Sequence, residues 1–340
     1  MTVFGRSSTV GIDPQRTLPW IWTNLKSSAS NMKYFTPINK DGDALGVWCR
    51  QENYAFKIGI GKPNDHVNSH FYIKDGQSLD EAMATQLVAW FKHGEPCILK
   101  EMELKPGQYY ERMARTSDQH PFDHMGASCP NLIKFEKQIS ISKGQLVSLV
   151  YRLEDIFQTI HPCDETFSAY GHEIRNLLIL ACTEVEAQWK GILDTHNYTV
   201  NSKHTTNDYV KLKSALRLDE YSVTLPFYPW LPKAHPFKEW RDSDPTQSLE
   251  WYSAYHQIKH DREEHFDKAQ LKHAINAVCA CYIMIFAQYG GPETRRGRQE
   301  IQNFFNVVDF PSWCPSEVYT YPYKLDHIAF EYDPVAYVFR

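Results

Sequence analysis

The chain has 340 residues, of which 42% are hydrophobic and 23% charged, with 9 Trp, 20 Tyr and 18 Phe. Such a composition can bury a large core, which excludes general disorder, and the length suits about two domains of ordinary size. A net charge of -5 excludes a uniformly basic nucleic-acid coat and leaves room for a local basic patch.

The first residues, MTVFGRSSTVGIDPQ, lack the apolar core of a secretory signal. The longest apolar stretch, residues 274–287, is interrupted by Asn276 and is shorter than the roughly 20 residues that span a bilayer. The expectation is a cytoplasmic chain with no membrane partner. Eight cysteines form no dense framework, so reduced thiols are expected. Cys279 and Cys281 form C-x-C, not C-x-x-C. Together with Cys182 they lie in apolar runs and read as core residues.

Residues 1–40 carry no sustained period; Pro14, Pro19 and Pro37 punctuate them, and Trp20-Ile21-Trp22 reads as a docking cluster. Residues 44–50 and 54–60 are strand-compatible, and the Gln51-Glu52-Asn53 link between them predicts a hairpin. A third run covers 67–73. Ser78 with Glu81 three residues later predicts a capped helix whose apolar face is Met83, Leu87, Val88 and Phe91. Residues 98–104 and 132–141 read as further strands. Gly59-Ile60-Gly61-Lys62 lacks the spacing of a phosphate loop and reads as a strand end. These elements predict a small α+β domain over 1–142, including an amino-terminal extension.

From residue 143 the period becomes helical. Leu146, Leu149, Val150, Leu153 and Phe157 form one face, and residues 167–193 form a long helix around Ile174, Leu177, Leu178, Ala181, Val185 and Trp189. A short helix over 208–216 and an extended stretch over 221–230 follow. Residues 248–260 and 266–288 are helical, the last stopped by Gly290-Gly291-Pro292. This predicts an α-helical bundle over 143–291 and an aromatic, proline-broken tail over 292–340. The fold class is α+β.

Two constellations carry chemistry. On the 167–193 helix, Arg175, Ile179, Cys182 and Glu186 share a face, and Glu184 lies on the neighbouring one. Glu184 and Glu186 read as a structural polar pair that bonds to a facing helix and sets its register. On the 248–260 helix, Tyr252, His256, Lys259, His260 and Glu263 form a stripe. Histidine is the side chain whose free pKa suits proton transfer near neutrality, and histidine together with Lys259 could donate to phosphate. His256 and His260 at i, i+4 also have zinc-ligand spacing, but Gln257 stands where H-E-x-x-H has Glu.

The two helices resemble the HEPN-like superfamily. One carries Tyr170-Gly171-His172-Glu173-Ile174-Arg175 and Ala181-Cys182-Thr183-Glu184-Val185-Glu186; the other carries Tyr255-His256-Gln257-Ile258-Lys259-His260-Asp261-Arg262. Lys259-His260 matches the K-H pair of the family's N-x-x-K-H element, with His256 in place of Asn. The family's R-x(4–6)-H spacing is not met, because Arg262 is followed by His265. The likeness covers about residues 143–290. It implies a helical bundle and, as in many HEPN-like proteins, metal-independent RNA cleavage by a dimer in a defence or toxin system. His260 would then be the acid/base, with Arg175 or Arg262 on the phosphate and Lys259, His256 and Tyr252 contacting substrate. No cofactor or metal is implied.

Two other readings stand beside this one. A non-enzymatic helical scaffold would use the polar motif to fix the bundle and the aromatic tail to bind a protein partner. A metal-dependent hydrolase would use His256 and His260. Arg295-Arg296-Gly297-Arg298 reads as solvated surface. Trp313, Tyr319, Tyr321 and Tyr323 read as anchors of the tail on its own domain, with base stacking as the alternative.

Overall fold

The computed structural model describes residues 33–44, 46–58, 70–86, 98–115, 130–199, 203–290, 299–320 and 332–340. The chain divides into two compact units, Met1–Met102 and Glu103–Arg340. An antiparallel sheet in the first and helices in the second make the class α+β.

In the first unit, β1 (Tyr34–Ile38), β2 (Val47–Gln51), β3 (Tyr54–Ile58), β4 (His70–Tyr72) and β5 (Ile98–Glu101) form one sheet. Its order is β4-β3-β2-β1-β5, and every neighbouring pair is antiparallel. The expected hairpin joins β2 to β3, with Glu52 in the left-handed region at φ 50°. β1 pairs with β2 only as far as Phe35↔Trp48, so Pro37, which has no N–H, costs that ladder nothing. Helix α1 (Leu79–Gln86) starts at the expected capping box: Ser78 Oγ accepts from Glu81 N–H at 3.3 Å, and the Glu81 carboxylate accepts from Ser78 N–H at 3.1 Å. Leu79, Ala82 and Met83 close this unit's core on Trp48, Ala55 and Ile73. Leu87, Val88 and Phe91, also expected on that face, lie outside the described residues, as do Trp20-Ile21-Trp22 and Gly59 to Lys62.

The second unit contains β6 (Gln108–Tyr109), α2 (Pro130–Lys134), α3 (Glu136–Thr159), α4 (His172–Thr195), α5 (Thr206–Tyr209), α6 (Lys211–Leu216) and β7 (Ser222–Thr224). It continues with α7 (Glu250–His260), α8 (Arg262–His265), α9 (Leu271–Tyr289), α10 (Gln299–Phe304), β8 (Asn306–Asp309) and β9 (Asp333–Pro334). Helix α9 is the axis of the unit and packs on α3, α4 and α7. All its residues except Lys272 and Asn276 are buried, which explains an apolar character without a single face. Among the described residues it is the one helix long and apolar enough to cross a membrane, and 89% of its most apolar window is buried inside the protein. Cys182, Cys279 and Cys281 are fully buried, as expected of core thiols.

Three expectations are corrected here. Residues 132–141 are not a strand; they fall in α2 and α3, where Phe135, Ile139 and Leu146 are buried at helical spacing. The units part between Met102 and Glu103 rather than at 142/143, because Leu104, Tyr109, Tyr110 and Met113 belong to the helical core. The 167–193 helix begins at His172, after a 3-10 turn over Asp164–Thr166 and an extended Gly171.

The tail is tied into this unit. β8 pairs antiparallel with β7, and β9 pairs parallel with β6. Tyr319 donates to the Met113 carbonyl at 2.8 Å. Buried Arg115, bound to Glu103, stacks its guanidinium on Trp313 (4.7 Å), Tyr110 (5.0 Å) and Tyr319 (5.7 Å). Trp313 and Tyr319 are therefore anchors. Tyr321, Tyr323 and the Arg295–Arg298 cluster lie outside the described residues.

Candidate functional site

Helices α4 and α7 pack antiparallel. Their register runs from Glu186 against Tyr252, through Thr183 against Tyr255, to His172 against Phe266 just beyond α8. The α4 face that carries His172, Arg175, Ile179, Cys182 and Glu186 thus looks along the whole of α7 and its exit.

At the inner end, Tyr252 donates to Glu186 Oε1 at 2.5 Å and Tyr255 donates to Oε2 at 3.3 Å. Lys259 Nζ, one turn on, donates to the Tyr255 hydroxyl at 2.8 Å and lies 4.9 Å from that ring's centre. Burial, and then the Glu186 carboxylate, push the Tyr252 phenol well above its ordinary range. The bond to Tyr255 holds the Lys259 ammonium charged and raises its pKa. Burial first, then Cys281, Glu186 and Lys259, act on the Cys182 thiol, with burial raising its pKa strongly.

At the outer end, α7 stops at His260 because Asp261 leaves helical geometry (φ −139°) and caps α8 through a bond from Glu264 N–H at 3.2 Å. His256 and His260 are exposed on successive turns, their ring centres 4.5 Å apart. Partial burial, then the charges of His260 and Lys259, lower the His256 pKa and favour its neutral form near pH 7. By the α4–α7 register, Arg175 faces the α7–α8 turn. Its Nε is buried and has no hydrogen-bond partner among the described residues.

The structure thus brings together Glu186, Tyr252, Tyr255, Lys259, His256 and His260, with Arg175 on the same α4 face. Three expectations change. Tyr252 is 4% exposed, with its hydroxyl committed to Glu186, so it packs helices and does not meet substrate. The expected stripe ends at His260, and Arg262 and Glu263 sit exposed on the separate α8 turn. Glu184 and Glu186 do not work as a pair. Glu184 accepts from Gln188 at 2.9 Å, which leads to Gln288 (2.9 Å) and from there to Arg112 (2.8 Å) in a chain through the core. Burial raises the Glu184 pKa against the opposing bonds from Gln188 and Ser142.

Tyr255 is the functional-face residue that sequence reasoning missed. Its signal is Y-x-x-Y-x-x-x-K on one helix, a spacing that lines up two phenols and an ammonium. Among the described residues, no group of three or more His, Cys, Asp or Glu is placed to hold a metal ion. Comparison with models of known families, with curated proteins and with solved structures finds no match.

Proposed function

We infer that this chain is a HEPN-like protein that binds RNA at the α4–α7 face and cleaves it without a metal. The observation that carries the reading is the exposed imidazole pair, His256 and His260, beside charged Lys259 and facing the Arg175 side of α4.

The chemistry suits that arrangement. Neutral His256 accepts the proton of an RNA 2′-hydroxyl as its oxygen bonds to phosphorus. His260 gives a proton to the departing 5′-oxygen as the P–O5′ bond breaks. The products are a 2′,3′-cyclic phosphate and a free 5′-hydroxyl, with protons and electrons balanced. Lys259 and Arg175 hold the phosphate oxygens, on which negative charge grows.

The test is cleavage of a mixed RNA pool in EDTA by wild type, His256→Ala and His260→Ala. Loss of about 10²-fold or more in each variant, with folding intact, is the expected result. Cleavage by His260→Ala at the wild-type rate would overturn the assignment.

A second reading has its own support. Glu186, both tyrosines and Lys259 satisfy one another, as in a register-fixing network of a non-catalytic scaffold. That reading expects neither RNA cleavage nor salt-dependent RNA binding from the folded protein.

A further inference from the structure

A groove of about 810 Å³ lies between the outer face of α3 and the start of α4. This falls within the size range of small-molecule sites. Val147, Ile156 and Ile174 contribute its apolar lining. Tyr151 and Tyr170 line it too and are 51% and 55% exposed, so among the described residues no element covers these two aromatic rings. Three charged side chains also line it: Arg152, Asp155 and Glu173, all exposed. An aromatic, apolar slot edged by both a guanidinium and carboxylates fits a ligand that is flat, carries N–H donors and bears an anionic group.

The groove is continuous with the face described above. Tyr170 packs edge-on against Phe266 at 5.8 Å, and His172, also in the groove lining, packs on the same ring at 4.9 Å. Phe266 directly follows α8, the turn that leaves His260. A strand whose phosphate rests by His260 and Arg175 therefore has an aromatic path into the groove for a neighbouring base.

We propose that this groove is a nucleobase subsite that prefers guanine, the base stacking on Tyr151 and Tyr170 while Arg152 meets the phosphate. The proposal rests on the RNA reading of the α4–α7 face. Guanine presents two adjacent donors, N1–H and the N2 amino group, and they match the two oxygens of one carboxylate, Asp155 or Glu173. Uracil offers a single donor on the same edge, N3–H, flanked by two carbonyl oxygens that a carboxylate repels, so it cannot fill both carboxylate oxygens. Aromatic stacking with edge recognition is the usual way proteins read unpaired RNA bases.

The test is calorimetric titration of the full chain with guanosine 5′-monophosphate and with uridine 5′-monophosphate. The guanine nucleotide should bind about tenfold more tightly, and Tyr151→Ala should weaken it by about tenfold, as expected for one lost stacking partner. Tyr151→Phe should keep the affinity, because the ring remains. Asp155→Asn together with Glu173→Gln should remove the preference over uridine. Equal affinity for the two nucleotides, no binding of either, or Tyr151→Ala binding like wild type would each overturn the proposal. The two readings fail separately. Tyr151-dependent guanine binding without RNA cleavage retains the subsite and sinks the nuclease. Cleavage that needs His260 but is indifferent to Tyr151 sinks the subsite alone.

Discussion

Tyr252 on α7 and Glu186 on α4 share a 2.5 Å hydrogen bond at a point where the phenol is 4% exposed, and the other carboxylate oxygen is taken by Tyr255. One carboxylate therefore sets the height of α7 along α4, and with it the position at which His256 and His260 emerge. Glu186→Ala leaves two buried phenols without their acceptor and should cost about 2–4 kcal/mol. Tyr252→Phe removes one donor and should cost about 1–1.5 kcal/mol. Urea unfolding measures both, and equal losses would contradict the shared-acceptor geometry.

Gly191 on α4 lies under the Arg112 guanidinium. A Cβ built there would fall 2.1 Å from Arg112 Nη1, so Gly191→Ala must displace a side chain whose Nε donates to Gln288 at 2.8 Å. Alanine within a helix is otherwise worth about 1 kcal/mol over glycine. The substitution should therefore destabilise the parent protein and stabilise an Arg112→Ala background. A double-mutant cycle reads the change of sign, and the same sign in both backgrounds would refute the clash.

His196 is buried with both ring nitrogens in use. Nδ1 accepts the Tyr337 N–H at 2.9 Å, so Nε2 carries the proton and donates to the Glu111 carbonyl at 2.7 Å. Tyr110, Tyr337 and Phe339 surround the ring. Burial first, with Arg112 adding to it, lowers the pKa against the opposing pull of Glu111. His273, also buried, is pushed down to about 4, by burial and then Lys272, with Glu250 opposing. Both groups are lower in the folded than in the unfolded chain, so between these values the unfolded state binds more protons. Their stability contribution is complete above about pH 6.5 and declines as pH falls below it, His273, pushed down to about 4, alone accounting for roughly 2–3 kcal/mol by pH 4. Melting temperature against pH, for wild type and His273→Phe, checks this: the variant should show the shallower decline.

Lys259 is expected to take one phosphate. Lys259→Met should weaken RNA binding and reduce the slope of log affinity against log salt by about 0.7, the value for one contact on a single strand. Binding titrations at several salt concentrations give that slope, and an unchanged value would place the phosphate elsewhere.

Much of the architecture is legible in the sequence because it is local. The capping box at Ser78, the Glu52 turn between β2 and β3, and the glycine stop after Tyr289 act within a few residues, where spacing alone decides. Residues 132–141 read as a strand because an apolar run that short suits either period; only the burial of Phe135 and Ile139 against the bundle selects the helix. Glu186, Lys259, His256 and His260 stand out by residue type. What each one meets does not. Arg112 reaches Gln288 across 176 positions, and no local pattern announces that pairing. The Tyr151–Tyr170 groove is invisible for a similar reason: Tyr151 and Tyr170 are 51% and 55% exposed, while helix α3, which carries Tyr151, and helix α4, which Tyr170 precedes, are defined by the residues they bury.

The parallel pairing of Gln108–Tyr109 with Asp333–Pro334 has a temporal consequence. During synthesis, β6 leaves the ribosome more than two hundred residues before the strand that completes it. At the usual rate of about 5–20 residues per second, it waits on the order of 10 seconds or more with that edge open. The Tyr109 and Tyr110 rings meet Tyr319, Tyr332 and Tyr337 only once those later residues have been made, so this end of the helical unit matures late, and chaperone occupancy of the nascent chain should peak in that interval.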